Sequence, residues 1–220
     1  MARHQLRIPR KRPRANVKVP PTRVHTVKRE SEKVGIPHED GVIEFRRPEY
    51  RFCPRCGATL EPRAEHDVAH PARPVVRPTC PNCGFIAYYN PVPAVGGVIM
   101  SDDHVLLVKR AFPPKEGQWS LPAGFMEFGE RQLDALAREV REEVGLEIFS
   151  ATLLSVEDAS DDPRTHALLI AFLVDEWQGE PRPGDDASAV EWWPIVSPPP
   201  DMAWRNHVRV LAKAREWLGL

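Results

Sequence analysis

The sequence predicts an α/β domain in which a mixed sheet lies between helices, preceded by a small four-cysteine module and a basic tail. Three observations carry that expectation. Strand-like runs, a helix, further strand-like runs and a final helix follow one another after residue 91, an order that suits a mixed sheet covered by helices. All four cysteines fall between residues 53 and 83, in two matching clusters. No acidic residue precedes Glu30, whereas that segment is dense in arginine and lysine.

With 220 residues, 42% hydrophobic and 28% charged, the chain fits one globular domain over 91–220, an appended module over 49–90 and a tail over 1–48. The longest apolar run, Ala167 to Val174, is far short of the roughly 20 residues a spanning helix requires, so no membrane partner is expected. A net charge of −1 gives no global attraction to nucleic acid. The tail is different: Arg3, Arg7, Arg10, Lys11, Arg12, Arg14, Lys18, Arg23, Lys28 and Arg29 crowd it with several prolines and few large apolar residues. It reads as largely disordered, either simply solvated or touching RNA, DNA or another acidic surface nonspecifically. Its prolines and lack of early serine argue against a transit peptide.

Within the main domain, Val92 to Met100 and Val105 to Lys109 read as strands around a turn at Asp102-Asp103. A helix from about Glu130 to Val144 follows, because Leu133, Leu136, Ala137, Val140 and Val144 recur at three- and four-residue steps. Gly145 is its stop, since glycine takes the left-handed conformation that closes a helix. Thr152 to Val156 and His166 to Val174 read as further strands. Pro198-Pro199-Pro200 then breaks the chain before a last amphipathic helix bearing Trp204, Val208, Leu211 and Leu218. Phe112, Trp119, Phe125 and Trp204 lie where an aromatic ring can stack on a base, although packing in the core is the ordinary use of such residues.

The chemistry concentrates on the first helix. Glu139, Glu142 and Glu143 lie off its apolar stripe, and helical spacing sets Glu139 beside the other two on a surface-facing site. Like charges so placed cost a few tenths of a kcal/mol per pair unless a cation relieves them. Carboxylate oxygens suit Mg²⁺ or Mn²⁺, which complete their shells with water and substrate phosphate. Arg138, four residues before Glu142, is placed to pair with a carboxylate and orient it. The turn Leu121-Pro122-Ala123-Gly124 brings backbone close to the same place and can aim a carbonyl at a metal.

Residues 124–146 resemble a complete Nudix box, with Gly124, Glu130, Arg138, Glu139, Val140, Glu142, Glu143, Gly145 and Leu146 filling its fixed positions. The resemblance implies an α/β/α sandwich whose loop-helix-loop binds divalent metal and hydrolyses a nucleoside diphosphate linked to another group. Carried over by position, Glu139, Glu142 and Glu143 are implied metal ligands, the Ala123 carbonyl a further one, and Arg138 and Glu130 supports. A likeness of the stretch from Trp177 through Glu191-Trp192 to 8-oxo-dGTP-type members nominates Asp186 as an additional ligand. For the base that takes a proton from water, Glu139 is one candidate, and the acidic loop Glu157, Asp158, Asp161 and Asp162 is the alternative.

The cysteines form two Cys-x-x-Cys-Gly knuckles, Cys53-Pro54-Arg55-Cys56-Gly57 and Cys80-Pro81-Asn82-Cys83-Gly84. Four thiolates so arranged suit a closed, structural tetrahedral Zn²⁺ site. Two disulfides are the competing reading, but the chain starts with no apolar signal segment, which points to a reducing, cytoplasmic setting and to zinc.

A zinc ribbon directly before a Nudix box resembles the arrangement in NADH pyrophosphatases and in related enzymes that cleave ADP-ribose or FAD. The run Phe85 to Pro91 is similar to the junction in those proteins. The segment Leu154 to Ser160 departs from the motif of the NADH enzymes, which leaves ADP-ribose or FAD-like dinucleotides as the implied substrates. Two alternatives stand beside this one: a nucleoside triphosphate sanitiser, and a nucleic-acid-binding regulator in which the Nudix domain senses a ligand. Many members of the family are dimers, so a homodimer is a further expectation.

Overall fold

A computed structural model describes residues 33–38, 41–46, 49–65, 75–162, 164–184 and 186–220, with backbone alone over 33–46 and at residue 65. Strands β1 (Lys33–His38) and β2 (Gly41–Arg46) pair antiparallel inside the segment read from the sequence as a disordered tail. Val34, Ile36, Val42, Ile43 and Phe45 supply the β-formers that the basic composition of the whole segment conceals. The rest of the tail, with its expected contacts, lies outside the described residues.

In the cysteine module, β3 (Glu61–Glu65) and β4 (Val75–Thr79) pair antiparallel between the two knuckles. Cys53, Leu60, Cys80 and Ala87 make a small core of their own, with Ala58 and Phe85 against it.

The main domain is built on β5 (Val92–Ser101), β6 (His104–Arg110), β7 (Trp119–Ser120), β8 (Ala123–Phe125), α1 (Gln132–Val144), β9 (Glu147–Ala159), β10 (Ala167–Gln178), β11 (Ala187–Pro194) and α2 (Arg205–Leu218). Its seven-stranded sheet runs in the order β11-β6-β5-β10-β9, with β7 beside β6 and β8 beside β5. The sheet is mixed, because β5 and β10 are parallel while their other pairings are antiparallel. Along β10, alternation sends Leu169, Ala171 and Leu173 to one face and Phe172 and Val174 to the other. The first set packs with Val210, Leu211 and Ala214 of α2, the second with Ala135, Leu136, Val140 and Val144 of α1. The outcome is the expected α/β/α sandwich.

The elements differ from expectation in detail. Helix α1 starts at Gln132 rather than Glu130, and Leu133 is more than a third exposed. Gly145 does close it, at φ 71°. On α2 the inward stripe is His207, Val210, Leu211 and Ala214; Val208 and Leu218, placed on it from the sequence, are exposed. Trp204 and Leu211 are buried as expected, and Asn206 and His207 join them inside the domain. Strands β7 and β8 are too short to show a period of two, so nothing in the sequence announces them.

Candidate active site and cysteine centre

The Nudix-box residues converge where α1 faces β8. Arg138 is the organiser: its Nε donates to Glu130 Oε1 at 3.0 Å, and Nη1 donates to Glu139 Oε1 at 2.7 Å and Glu142 Oε2 at 3.1 Å. Its Nη2 donates to Glu130 Oε2 and to the Phe125 carbonyl, both at 3.0 Å. These bonds hold the Glu130 carboxyl below its ordinary range, helped by the Glu127 amide. Glu130 thus ties the loop before α1 to the helix and fixes the arginine that orients Glu139 and Glu142.

Glu139 and Glu143 are only partly exposed, where the sequence expectation was a surface-facing site. Burial raises the Glu139 carboxyl above its usual range against the pull of Arg138. Burial also pushes Glu143 up to about 8, against the hydrogen bond from the Ala123 amide to Oε2 at 3.0 Å; the charges of Glu139 and Asp186 add to the rise. Crowded, desolvated carboxylates of this kind fit a divalent cation, which relieves their repulsion. Their oxygens are spread between Arg138 and the Ala123 amide, so Glu139, Glu142 and Glu143 do not share a single tight ligand point.

Two glycines are set by space. A Cβ on Gly124 would lie 2.1 Å from the Glu139 carboxyl carbon. A Cβ on Gly184 would lie 1.8 Å from the Glu142 carbonyl oxygen, where the connection from β10 to β11 crosses the end of α1. There the Arg182 amide donates to the Val144 carbonyl at 3.0 Å and the Gly184 amide to the Glu143 carbonyl at 2.9 Å, satisfying free carbonyls of the last turn. That crossing delivers Asp186 to the site, where its charge acts on Glu143 and Arg110.

The loop from Trp119 to Gly124 is clamped on all sides. The Gly97 amide donates to the Pro122 carbonyl at 3.0 Å, the Ala203 amide to the Trp119 carbonyl at 2.7 Å, and the Leu121 amide to Nδ1 of His207 at 3.1 Å. Beside it opens a cleft lined by Arg110, Phe125, Arg164, Trp204, Asn206 and His207 among others. Burial, reinforced by the Arg110 charge, pushes His207 down to about 3, so its imidazole is neutral. Of the four aromatics singled out from the sequence, Phe125 and Trp204 line this cleft, Trp119 is core beside Trp193, and Phe112 is exposed.

The acidic loop is already partnered, although Asp161 and Asp162 line the cleft. Glu157 takes Arg209 and Lys213, Asp158 takes His166, Asp161 accepts the Arg205 amide at the start of α2, and Asp162 holds Arg164. These are structural partnerships, which leaves Glu139 as the better-placed base candidate. Arg110 and His207 escaped the sequence reading, because one is the charged end of an apolar strand and the other a lone histidine on a helix. The one available hint was the abrupt Lys109-Arg110 end of the run Val105 to Val108.

In the cysteine module no disulfide forms, and the four sulfurs lie within 4.8 Å of one another. Cys53 and Cys83 are 3.5 Å apart, Cys56 and Cys80 3.5 Å, and Cys56 and Cys83 3.7 Å. The knuckles repeat one geometry: the Gly57 amide donates to the Cys53 carbonyl, the Gly84 amide to the Cys80 carbonyl, and both glycines sit at φ 72°. The Cys83 amide pulls the Cys80 thiol down to about 6 against burial, with help from Asn82. Four clustered thiols, one already poised as thiolate, can hold a metal ion.

Carboxylates gathered on a loop-helix-loop beside an open cleft, on an α/β/α sandwich, define the hydrolase class that the sequence motif implies. The chain belongs to the Nudix family: the NUDIX domain matches residues 90–214. It is 37% identical over 131 residues to an ADP-ribose pyrophosphatase of Methanocaldococcus jannaschii, covering 59% of this chain and 76% of that protein. It is 31% identical over 163 residues to the NAD-capped RNA hydrolase NudC of Pseudomonas aeruginosa, covering 73% of this chain and 54% of the relative, so it spans about half of NudC's length. Among solved structures, a NUDIX hydrolase from Nitrosomonas europaea superposes with a TM-score of 0.63 at 28% identity, over 77% of this chain and 94% of the other. Among the described residues no helix is long and apolar enough to cross a membrane.

Proposed function

We propose that the chain hydrolyses the pyrophosphate bond of a nucleoside diphosphate derivative of the ADP-ribose type, releasing AMP and the phosphate of the partner group. The observation that carries this reading is the set of Glu139 and Glu142, held by Arg138, and Glu143, held by the Ala123 amide, beside a cleft that shares Ala123 and Gly124 with them and contains Arg110. The names of both relatives fit: ADP-ribose and an NAD cap share an adenosine diphosphate joined to a further ribose.

Glu139, Glu142, Glu143, Asp186 and the Ala123 carbonyl are the residues that would hold Mg²⁺ or Mn²⁺. Such an ion, when bound, neutralises diphosphate oxygens and acidifies a water. The protein's own part is orientation and proton transfer. Arg138 holds Glu139 and Glu142 in place, and the Ala123 amide holds Glu143. Glu139, made more basic by burial, accepts the proton as water attacks phosphorus; the bond to the bridging oxygen breaks and the second phosphate departs. The four cysteines we assign to a structural Zn²⁺, because a closed four-thiolate set leaves no open position for chemistry. A four-thiolate metal set of this kind suits a reducing compartment such as the cytoplasm.

The test is a panel of ADP-ribose, FAD, NADH and nucleoside triphosphates with Mg²⁺ or Mn²⁺, scored by product identity. AMP with ribose 5-phosphate from ADP-ribose is expected. Inorganic pyrophosphate from triphosphates, with the diphosphate esters untouched, would overturn the reading.

A further inference from the structure

The cleft next to the carboxylates holds two hydrogen-bond donors that have no acceptor. Arg110, at the end of β6, is anchored from behind: its Nε donates to the Pro114 carbonyl at 2.9 Å and its guanidinium lies 5.4 Å from the Trp204 ring centre. Among the described residues its two Nη groups have no partner. His207 is fixed as a donor by its neighbour, because Nδ1 accepts the Leu121 amide and the proton of a neutral ring must then sit on Nε2. Among the described residues Nε2 also has no partner.

The two groups act as one place. The Arg110 charge acts on His207, and both line the same cleft. Arg110 also lies within electrostatic reach of Glu143 and Asp186, so the donors adjoin the carboxylate set. Arg164, the other arginine of the cleft, is already bonded to both oxygens of Asp162. A guanidinium fork and a neutral N–H, clamped in a cleft whose own carboxylates, Asp161 and Asp162, already hold the Arg205 amide and Arg164, suit an oxyanion rather than a base or a sugar.

Resting on the pyrophosphohydrolase reading, we propose that Arg110 and His207 form the subsite for the second phosphate of the substrate, the one not held at the carboxylates. Trp204 keeps the guanidinium flat and in place, and Leu121 keeps the imidazole in its donor form. The subsite selects a diphosphate over a monoester and is indifferent to the group beyond it.

The experiment compares full-length wild type with Arg110→Met, Arg110→Lys and His207→Asn. It measures kcat and KM for ADP-ribose with Mg²⁺, calorimetric binding of AMP and of ribose 5-phosphate without metal, and melting temperature. Arg110→Met is expected to raise KM and weaken one of the two products by about tenfold or more, as loss of a charge-assisted pair would. Arg110→Lys, which keeps the charge but not the fork, should fall between, and His207→Asn should show a smaller loss in the same product. KM and both product affinities within twofold of wild type in Arg110→Met would overturn the subsite. If Arg110→Met melts early, an unchanged KM in Arg110→Lys overturns it equally. Wild type that binds a product through Arg110 yet cleaves no diphosphate ester would instead reject the hydrolase reading and leave the subsite standing.

Discussion

At Gly124 the margin between function and failure is one methyl group. Its missing Cβ is the space the Glu139 carboxyl fills, so Gly124→Ala must displace that carboxylate or the β8 strand that carries position 124. Turnover should drop on the order of 100-fold, the scale of an ångström-sized misplacement, with little change in melting temperature; steady-state kinetics and calorimetry check both. Glu143→Gln behaves differently. The amide oxygen still accepts from Ala123, and a buried, crowded charge is gone, so the metal-free variant should melt at or above wild type while turnover falls on the order of 100-fold or more. An early-melting Glu143→Gln would contradict the burial argument, and near-normal turnover would contradict its role. The fixed spacing of Gly124, Arg138 and the glutamates made these residues legible in the sequence. Their burial was not, since the depth of a helix face depends on a loop that crosses it from 40 residues further along the chain.

Among the elements, α2 is pinned to β9 by a charge cluster under the cleft. Burial alone would raise the Glu157 carboxyl, yet Lys213, Ser155 and Arg209 together hold it below its usual range. A carboxylate whose pKa is lower in the folded than in the unfolded chain adds stability above its ordinary pKa, and loses it as pH falls through the folded value. Glu157→Gln should therefore cost about 2 kcal/mol, or roughly 4–8 °C in Tm, at pH 7, and the gap to wild type should narrow as pH falls below the ordinary glutamate range; a pH series of melting curves decides it. Asp161→Ala removes the carboxylate oxygen that accepts the Arg205 amide at the start of α2 and should cost about 1 kcal/mol by the same assay. Helix α1 was readable because its apolar residues recur at 3.6, and β5, β6, β9 and β10 because they are runs of β-formers set off by turn residues. On α2, Trp204 and Leu211 are buried as the pattern implied, but Val208 and Leu218 are not, and His207 and Asn206 are polar residues buried for their hydrogen bonds, which a hydrophobic pattern does not register.

On the scale of the whole molecule, the cysteine module and the Nudix sandwich have separate cores. Metal should therefore matter to them separately. Stripping the thiol-bound ion with a strong chelator is expected to speed amide hydrogen exchange over residues 49–65 and 75–90 while the strands and helices beyond residue 92 keep their protection. Exchange measured by mass spectrometry, with one zinc per chain by elemental analysis beforehand, tests this; uniform loss of protection would show one cooperative unit instead. The overall α/β/α plan was legible from the order of elements. The hairpin of β1 and β2 was not, because arginine and proline dominate the composition that surrounds its short apolar residues.

The parallel pairing of β5 with β10 brings Val92 beside Ala167 and Ile99 beside Val174, strands about 75 residues apart along the chain. During synthesis the middle of the sheet must wait until that later strand has left the ribosome, whereas both knuckles are already complete at Cys83. The nascent polypeptide thus completes its thiol cluster first and closes its sheet last. For that interval the apolar inner faces of β5 and β6 stand open to chaperones or to aggregation, and slowing translation just after residue 110 would lengthen the exposure.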